Sequence, residues 1–527
     1  MTDYIGFKWV AEYLALTPVQ PFAVESKLGT SRRTTIDSIR QETYGASVRP
    51  SPTIAEHLAF GLKHELVNLE FLARLFAILD QHILEEWIRK EPTGAYARRA
   101  GFFFEWLTSR RLDVPDTPAG NYIDALPPDE FLVANQPARV PRWRIRDNLP
   151  GTPAYCPTIR RTSAVRALED YDCAAALEAL EVQFGADVLM RSAVWLSIKE
   201  SRASFAIERE EKQLDRVKRF AAAMERRCGQ SDDPLSLDTL TELQKEILGT
   251  ATRYGIRQSP VIVGHTHGFD NIVDYIAPPF ERTAELLDGL RRSMSRTASA
   301  SPVLRASIAS FGFVYIHPMS DGNGRISRFL VNDVLRRDGA VPAPFILPIS
   351  ATITNKSQQR AGYDRALEAL SRPFMLKYQE SYRFGTQYAC ADGIRSNFHF
   401  DAYDDALPTW RYPDLTQQSE YIGEVIRLTI EVEMSKEASF LRDIELARDS
   451  VKNHLEGPNS DIDQIIRSIR ENGWTVSNKL VKAFPPLADR DLANAVVDAV
   501  HGVFGPAGTV EPGADRSRTG GESPESR

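Results

Sequence analysis

The sequence has few cysteines and no long apolar runs. The four cysteines are far apart and form no C-x-x-C pair: Cys156, Cys173, Cys228 and Cys390. This spacing argues against a disulfide framework or a zinc site and favours buried, reduced thiols. No stretch approaches the roughly 18 consecutive apolar residues of a membrane span, and charged residues from Asp3 onward interrupt any apolar signal segment. We therefore expect a cytoplasmic protein without a membrane partner.

An excess of basic residues is also absent. Lys and Arg number 64 against 71 Asp and Glu, which gives a net charge of −7. That balance argues against general nucleic-acid binding, although a local basic patch is compatible with it. With 527 residues the chain is too long for one ordinary core, so about two to four domains are expected.

Helical periodicity dominates the rest of the sequence. Leucines at helical spacing predict one or two amphipathic helices over Ile54–Trp87, and another helix is predicted over Ala95–Leu107. Frequent prolines and glycines over 112–162 predict strands or extended loops. Long helical patterns then return from 164 onward and include one predicted helix over Phe205–Met224.

These patterns predict a mainly α fold in four segments. Residues 1–163 are a helical N-terminal region with irregular and β elaboration, 164–370 a helical core, 371–505 a C-terminal helical region, and 506–527 a disordered tail. Short helices over Ile462–Phe504 are typical of a helix-turn-helix module or of a packing or dimerisation bundle. Basic residues are few there, which favours the bundle and leaves a homodimer open.

Residues 303–338 are the most informative segment. An apolar, helix-compatible run ends at His317-Pro318, because the residue before a proline avoids helical angles. The tight turn Asp321-Gly-Asn-Gly follows, and a second periodic run stops at Gly339. The pattern predicts a helix–loop–helix with the loop at the N-terminus of the second helix.

This loop carries groups suited to a polyphosphate. A helix N-terminus offers free N–H groups and partial positive charge, and two glycines allow an anion to approach closely. Arg325 and Arg328 are neighbours on the same helix and can hold phosphates. Asp321 can hold Mg²⁺, and His317 can take a hydroxyl proton near neutral pH. Each feature alone has an ordinary structural explanation, but together they predict a nucleotide-phosphate site with a histidine base.

The segment His317-Pro-Met-Ser-Asp-Gly-Asn-Gly-Arg-Ile-Ser-Arg328 resembles the motif of the Fic (filamentation induced by cyclic AMP) family, His-x-Phe-x-Asp/Glu-Gly-Asn-Gly-Arg-x-x-Arg. Every polar position matches. Met319 stands where the family has phenylalanine, and methionine can fill a similar space. The similarity covers about residues 200–370 and implies a Fic-type helical core with a short β-hairpin flap, between helical N- and C-terminal regions.

The resemblance also implies a protein adenylyltransferase that uses ATP and Mg²⁺. A protein hydroxyl of Ser, Thr or Tyr, deprotonated by His317, would attack the α-phosphorus, and self-modification is a further expectation. The implied ATP-binding residues are Gly322, Asn323, Gly324, Arg325 and Arg328. The implied catalytic residues are His317, Asp321 (which would carry Mg²⁺), Asn323, Arg325 and Arg328.

Two β-prone runs over 258–276 predict a two-stranded flap. In Fic-like proteins such a flap holds the target segment by strand pairing, and the alternative is an ordinary hairpin. His265 and His267 lie on its glycine-flanked turn, and we interpret them as exposed polar residues rather than metal ligands.

The segment Ser204-Phe-Ala-Ile-Glu208 resembles the inhibitory Ser/Thr-x-x-x-Glu-Gly/Asn segment of many Fic proteins, in the subgroup that places it before the core. The resemblance implies an inhibitory helix near 200–225, in which Glu208 pairs with Arg328 and takes it from the γ-phosphate. Arg209 departs from the family's small residue. The ordinary alternative is that Glu208 belongs to a solvated charged face.

Two further functions stay open. The same site could transfer another nucleotide or a phosphoryl group, or remove AMP with Glu208 helping to position water. The chain could instead be a non-catalytic nucleotide-sensing or DNA-binding regulator, which a basic recognition helix would favour.

Overall fold

The computed structural model describes residues 3–36, 39–208, 210, 214–249, 255–267 and 270–505. Helices dominate and the sheets are small, which confirms the mainly α fold class. Over the described ranges, no helix combines the length and apolarity needed to cross a membrane. The predicted disordered tail at 506–527 and the departure at Arg209 lie outside the described residues.

The first 45 residues form a small mixed sheet that the sequence did not predict. Its strands are β1 (Tyr4–Ile5), β2 (Val24–Leu28), β3 (Arg33–Ile36) and β4 (Arg40–Tyr44). Their order is β1-β2-β4-β3, with β2 and β4 parallel and the other pairs antiparallel. Helix α1 (Phe7–Tyr13) joins β1 to β2, and a 3₁₀ helix at Ala46–Val48 follows β4.

Four helices come next: α2 (Ile54–His64), α3 (Leu69–Ile78), α4 (Gln81–Lys90) and α5 (Ala95–Thr108). Helix α5 confirms the prediction over Ala95–Leu107. The prediction of one or two helices over Ile54–Trp87 is wrong, because three are present there. The side chains of Asn68 and Asp80 accept hydrogen bonds from the first turns of α3 and α4, so each begins a new helix.

Short strands follow in the proline- and glycine-rich region, as predicted: β5 (Ile123–Asp124), β6 (Ala138–Val140) and β7 (Ile145–Asp147). Their order is β5-β7-β6. Trp143 is 1% exposed and packs against Gly101 of α5. This contact fixes the small sheet on the N-terminal helices.

The central part of the chain contains ten helices and one hairpin among the described residues. The helices are α6 (Ser163–Glu169), α7 (Cys173–Phe184), α8 (Ala186–Ile207), α9 (Leu214–Arg227), α10 (Leu237–Leu248), α11 (Thr283–Arg296), α12 (Pro302–Ile316), α13 (Asn323–Arg337), α14 (Ile349–Asn355) and α15 (Ser357–Tyr378). The hairpin pairs β8 (Ile262–His267) with β9 (Asp270–Ile276), and a 3₁₀ helix spans Phe280–Arg282. Helices α12 and α13 confirm the predicted helix–loop–helix.

The single helix predicted over Phe205–Met224 is wrong. Helix α8 ends at Ile207, and α9 begins at Leu214, whose side chain is 58% exposed. The run from Glu208 to Gln213 contains no apolar residue that could continue a buried face. The N–H of Glu210 donates to the carbonyl of Phe205 over 2.8 Å and closes the end of α8. Glu208 therefore lies one residue beyond a helix end rather than inside a continuous helix.

A second hairpin interrupts the region predicted as mostly helical. It pairs β10 (Tyr382–Ala389) with β11 (Arg395–Phe400) in antiparallel fashion. Helices α16 (Tyr403–Arg411) and α17 (Thr416–Leu428) follow, and a π-helix spans Thr429–Met434.

Contacts divide the chain into two compact units, Met1–Gln183 with Ala193–Met434, and Phe184–Ser192 with Ser435–Arg527. The second unit contains α18 (Ser435–Lys452), α19 (Asn459–Glu471), α20 (Asn478–Ala483), a 3₁₀ helix (Pro485–Ala488) and α21 (Arg490–Phe504). An isoleucine-rich face of α19 forms much of its core. These elements confirm the short helices predicted over Ile462–Phe504, while their role stays a prediction.

Candidate active site

His317 lies directly after α12, at its C-cap, in the left-handed backbone conformation (φ 50°, ψ 55°). Its Nδ1 is 3.2 Å from the Val314 carbonyl oxygen. Because a carbonyl can only accept, Nδ1 carries the proton, and the lone pair of Nε2 is left to take another. Burial and the nearby charge of Arg257 lower the pKa of His317 to about 4. The imidazole is therefore neutral at pH 7 and able to accept a proton.

The loop after His317 is held by one amide side chain. Asn323 Oδ1 accepts the N–H of Met319, and its Nδ2 donates to the Met319 carbonyl, both over 2.9 Å. Met319 is fully buried and also pairs with Ile256 in an isolated β-bridge. The methionine that replaces the family's phenylalanine thus fills a core position, and the side chain of Asn323 shapes the loop.

Two residues outside the motif also hold this loop, and the sequence did not indicate either. Gln244 of α10 donates to the Asp321 carbonyl and accepts the N–H of Gly255, both over 2.8 Å. Arg257 donates to the His317 carbonyl over 2.7 Å. A buried polar residue in an otherwise apolar helical stripe is the signal that could have indicated Gln244, which has no exposed surface.

The N-terminus of α13 is the part of the structure where the sequence predicts an anion cradle. Gly322 caps this helix with a φ of +82°, a conformation that favours glycine. A side chain at position 324 would collide with the carboxylate of Glu208. The lack of a side chain at 324 leaves room for this carboxylate, which lies against the helix N-terminus where an anion is stabilised.

Arg328 is 3% exposed and is held by the segment resembling the inhibitory one. Its Nη2 donates to Glu208 Oε1 over 2.8 Å, and its Nε donates to Ser204 Oγ over 2.9 Å. Burial raises the pKa of Glu208, but the charge and hydrogen bond of Arg328 together with the charge of Arg325 outweigh burial and hold that pKa below its ordinary value. Glu208 is thus an ionised partner of Arg328, with 34% of its side chain still exposed.

Arg325 is held in a similar way by a residue that the sequence did not single out. Its Nη1 donates to Glu210 Oε2 over 2.5 Å, and its Nη2 donates to Asp321 Oδ1 over 3.2 Å. Its guanidinium also lies 5.0 Å from the ring centre of Phe205. Both arginines of the motif therefore have carboxylate partners from the segment that ends α8.

Asp321 is the candidate Mg²⁺ ligand. Its side chain is 46% exposed, and within the described ranges no group of three or more metal-ligating side chains occurs anywhere. One accessible carboxylate beside a phosphate cradle fits Mg²⁺, which commonly takes its other ligands from phosphate oxygens and water. Such a donor would suit a metal that arrives together with a nucleotide.

The β8–β9 hairpin confirms the strands predicted over 258–276. Tyr275 of β9 donates through its hydroxyl to the Tyr315 carbonyl of α12 over 2.6 Å, which ties the hairpin to the helix that ends at His317. His265 is exposed and bonded to Asp274 across the hairpin at 2.9 Å. The side chain of His267 lies outside what the structure describes.

Comparison with known proteins places this segment in a family. Residues 234–335 match the model of the Fic/DOC family. The chain is 31% identical over 150 residues to "Protein adenylyltransferase fic-1" of Caenorhabditis briggsae and 30% identical over 152 residues to the protein of that name from Caenorhabditis elegans. Each match covers 27% of this chain and 26% of the relative. The chain therefore aligns with about a quarter of the length of these curated relatives.

A solved Fic family protein from Desulfovibrio desulfuricans G20 is 18% identical, covers 60% of this chain and 90% of that one, and has a TM-score of 0.37. The segment matched by the family model contains the hairpin and the whole loop from His317 to Arg328. Ser204, Glu208 and Glu210 precede that segment.

Proposed function

We propose that this chain, which carries a Fic domain, is a protein adenylyltransferase that is held inactive by the end of α8. The observation that carries the proposal is the neutral imidazole of His317, with Nε2 free, beside an arginine-lined anion cradle. A base that lies a few residues before a polyphosphate site is suited to the transfer of a nucleotidyl group to a hydroxyl.

In the proposed reaction, His317 Nε2 takes the proton of a Ser, Thr or Tyr hydroxyl of the protein substrate. The hydroxyl oxygen forms a bond to the α-phosphorus of ATP, the bond from that phosphorus to the bridging oxygen of the β-phosphate breaks, and pyrophosphate leaves. Backbone N–H groups at Gly322, Asn323 and Gly324 bind phosphate oxygens, with Arg325 and Arg328 stabilising their charge. Mg²⁺ on Asp321 would neutralise further phosphate charge.

The same arginines explain the proposed inhibition. Glu208 lies against the helix N-terminus and on Arg328, so its carboxylate takes the place of a phosphate. Glu210 adds a second carboxylate on Arg325. Glu208 and Glu210 therefore compete with the phosphates of a nucleoside triphosphate for these two arginines, and productive binding requires both carboxylates to move away.

The alternative functions predict other products. Transfer of another nucleotide or of a phosphoryl group would use the same base and cradle, and removal of AMP would use Glu208 to position water. A DNA-binding regulator is not favoured by any observation in the described part of the chain. Modification of the chain itself and association into a homodimer stay predictions.

Self-labelling with α-labelled ATP and Mg²⁺ tests the proposal. We expect little label on wild type, strong label on Glu208→Gly because Arg328 becomes available, and none on Glu208→Gly/His317→Ala. Glu225→Gly, which removes an exposed carboxylate from the last turn of α9, is the matched control and should label as wild type does. Label from α- but not γ-labelled ATP distinguishes nucleotidyl from phosphoryl transfer.

Two outcomes would contradict the proposal in different ways. Equal labelling with and without His317 would exclude the histidine mechanism. Equal labelling of wild type and Glu208→Gly, with no label on the variant that lacks His317, would exclude the proposed inhibition. The proposed transferase activity would then stand. Adding Glu210→Gln to Glu208→Gly should raise labelling further at low ATP, since Arg325 then loses the Glu210 carboxylate and keeps only Asp321.

A further inference from the structure

Arg257 is a buried arginine whose side chain bonds to the backbone of three different segments. It is 1% exposed, and in the described part of the chain it forms no ion pair. Its Nε donates to the His317 carbonyl over 2.7 Å, and its Nη2 donates to the Pro278 carbonyl over 2.7 Å and to the Ile316 carbonyl over 3.4 Å. Its Nη1 donates to the Ser259 carbonyl over 3.2 Å. Burial of an unpaired cation is costly, and these hydrogen bonds to carbonyl oxygens offset part of that cost.

Two of these carbonyls belong to the end of α12. The last carbonyls of a helix have no partner within the helix, and they carry partial negative charge that a cation stabilises. His317 also has a positive φ, which costs a residue with a side chain about 1 to 3 kcal/mol. The bond from Arg257 to the His317 carbonyl therefore holds a backbone conformation that the chain alone disfavours.

The other two carbonyls bracket the flap. Ser259 precedes β8, and Pro278 follows β9, so one planar group binds both ends of the hairpin and the histidine. The backbone extends this connection, because the Arg257 N–H donates to the Pro318 carbonyl over 3.1 Å. A guanidinium has five donors in a fixed plane, which a lysine cannot reproduce.

We propose that Arg257 is a positioning residue that fixes His317 relative to the flap, so that a hydroxyl on a segment paired with the flap meets Nε2. Any test of this proposal by labelling rate rests on the proposed function, whereas the hydrogen bonds of Arg257 do not depend on it. A displacement of about 1 Å between base and hydroxyl can lower a rate by about 10²-fold. Arg257 acts through His317 and the flap, not through contact with the nucleotide.

The charge of Arg257 gives a second, separable effect. The charged groups that face His317 are Arg257, Glu208 and Asp321, of which Arg257 lowers the pKa of His317 and the two carboxylates raise it. Removing the cation therefore raises the pKa of His317 from about 4 toward its ordinary value. The imidazole would then lose its ability to accept a proton at a higher pH than before.

The test uses the full chain with Glu208→Gly as parent and compares Arg257→Met with Arg257→Lys. We expect Arg257→Met to bind ATP within about threefold of the parent, to label about 10²-fold more slowly, and to lose activity at a higher pH on the acid side. Arg257→Lys keeps the charge and loses the planar fork, so its rate should fall while its acid limb stays near that of the parent.

Arg99 offers a matched control. It is 6% exposed, donates to the carbonyls of Leu62 and Ala125, and burial lowers the pKa of both arginines to about 10. Arg99→Met should lower the melting temperature yet leave labelling per folded molecule unchanged. Equal loss of labelling in Arg99→Met and Arg257→Met would overturn the proposal, because the effect would then be general destabilisation.

The remaining outcomes are also decisive. A folded Arg257→Met variant with the parent's rate and pH profile would overturn the proposal. If Arg257→Met does not fold, an Arg257→Lys variant with the parent's rate would overturn it instead. If the parent itself does not label, the proposed function fails. The pKa of His317 can then be measured by NMR titration of ¹⁵N-histidine-labelled protein. The resonance of His317 is assigned by its absence from the His317→Ala variant. An unchanged pKa of His317 in Arg257→Met would then count against the proposal.

Discussion

At the scale of single residues, Asn323 shows how the motif builds a rigid loop from adjacent positions. Its side-chain amide accepts a hydrogen bond from the N–H of Met319 and donates one to the carbonyl of that buried residue, as a neighbouring β-strand would. Loss of the amide would leave two buried backbone groups without partners, each at a cost of about 1 to 3 kcal/mol. The loop that joins His317 to the anion cradle would loosen in consequence.

We therefore expect Asn323→Ala, in the Glu208→Gly background, to lower the free energy of unfolding by about 2 to 4 kcal/mol and labelling by about 10²-fold. Urea unfolding and the rate of self-labelling measure the two effects. Asn332 of the same helix bonds the N–H and carbonyl of Leu347 in the same reciprocal way, at 2.8 and 3.1 Å. Asn332→Ala should lose similar stability and keep its labelling per folded molecule, and equal labelling losses would contradict a specific role for Asn323.

The sequence indicates the residues of the loop but not those that support it from elsewhere. His317, Asp321, Arg325 and Arg328 could be predicted because a helix N-terminus brings contiguous residues together without knowledge of the fold. Gln244 and Arg257 reach the loop from α10 and from the approach to the flap, so only the tertiary packing makes them visible. Glu210 was missed because a continuous helix was predicted where α8 in fact ends.

At the scale of elements, the position of α8 decides whether Glu208 and Glu210 reach the arginines. Glu200, two turns before Glu208 on α8, has no exposed surface and accepts hydrogen bonds from the N–H of Ser350, over 2.6 Å, and from its hydroxyl. The carboxylate thereby caps the N-terminus of α14. Burial raises the pKa of Glu200 to about 7, with the bonds to Ser350 opposing that rise.

This contact predicts that loosening α8 weakens the proposed inhibition. Ser350→Ala removes one hydrogen bond to a buried carboxylate, which should cost the docked state of α8 about 1 to 2 kcal/mol and raise basal self-labelling several-fold. The same change in the Glu208→Gly background should have no effect, because the inhibition is already gone. Ser419→Ala, which removes a buried serine hydroxyl on α17, is the control and should leave basal labelling unchanged. An equal increase in both backgrounds would show that α14, and not α8, carries the effect.

The sequence predicted helices correctly where a long segment has apolar residues at helical spacing. It failed where helix capping or cross-strand pairing determines where an element begins and ends. Helices α5, α12 and α13 follow from periodicity and from the proline after His317. The division of 54–90 into three helices depends on Asn68 and Asp80, which cap α3 and α4. The leucines keep a helical spacing across these boundaries, so the spacing alone does not show them. The β10–β11 hairpin pairs exposed faces, so its alternation of apolar and polar residues is weak.

At the scale of the whole molecule, the N-terminal sheet was not predictable, because its strands are only two to five residues long and its central pair is parallel. Its attachment to the helices depends on a buried carboxylate. Glu65 is 5% exposed and accepts the N–H of Phe7, at the start of α1, over 2.8 Å. It also lies against Gly6, whose φ of +72° and lack of a side chain leave room for it. Burial raises the pKa of Glu65 to about 7.

The stability of the protein should therefore fall as the pH rises from about 4.5 to 7 through this group. The folded state keeps the proton of Glu65 up to a pH of about 7, whereas the unfolded chain releases it near its ordinary pKa of 4.5. The folded state binds more protons in this window, so the contribution present at low pH, about 2 to 3 kcal/mol, is lost as the pH rises through it.

Glu65→Gln cannot ionise and still offers an oxygen to the N–H of Phe7. We expect it to match wild type near pH 4 and to be more stable by about 2 to 3 kcal/mol at pH 8, measured by urea unfolding across that range. Glu70 is the control, since this equally buried glutamate bonds to Arg74 at 2.8 Å. Glu70→Gln should destabilise the protein at pH 8 because the buried Arg74 then keeps only Asp405, at 3.1 Å, as a carboxylate partner. Destabilisation of both variants at pH 8 would mean that Glu65 is held as a carboxylate in the folded state, contrary to the effect of its burial.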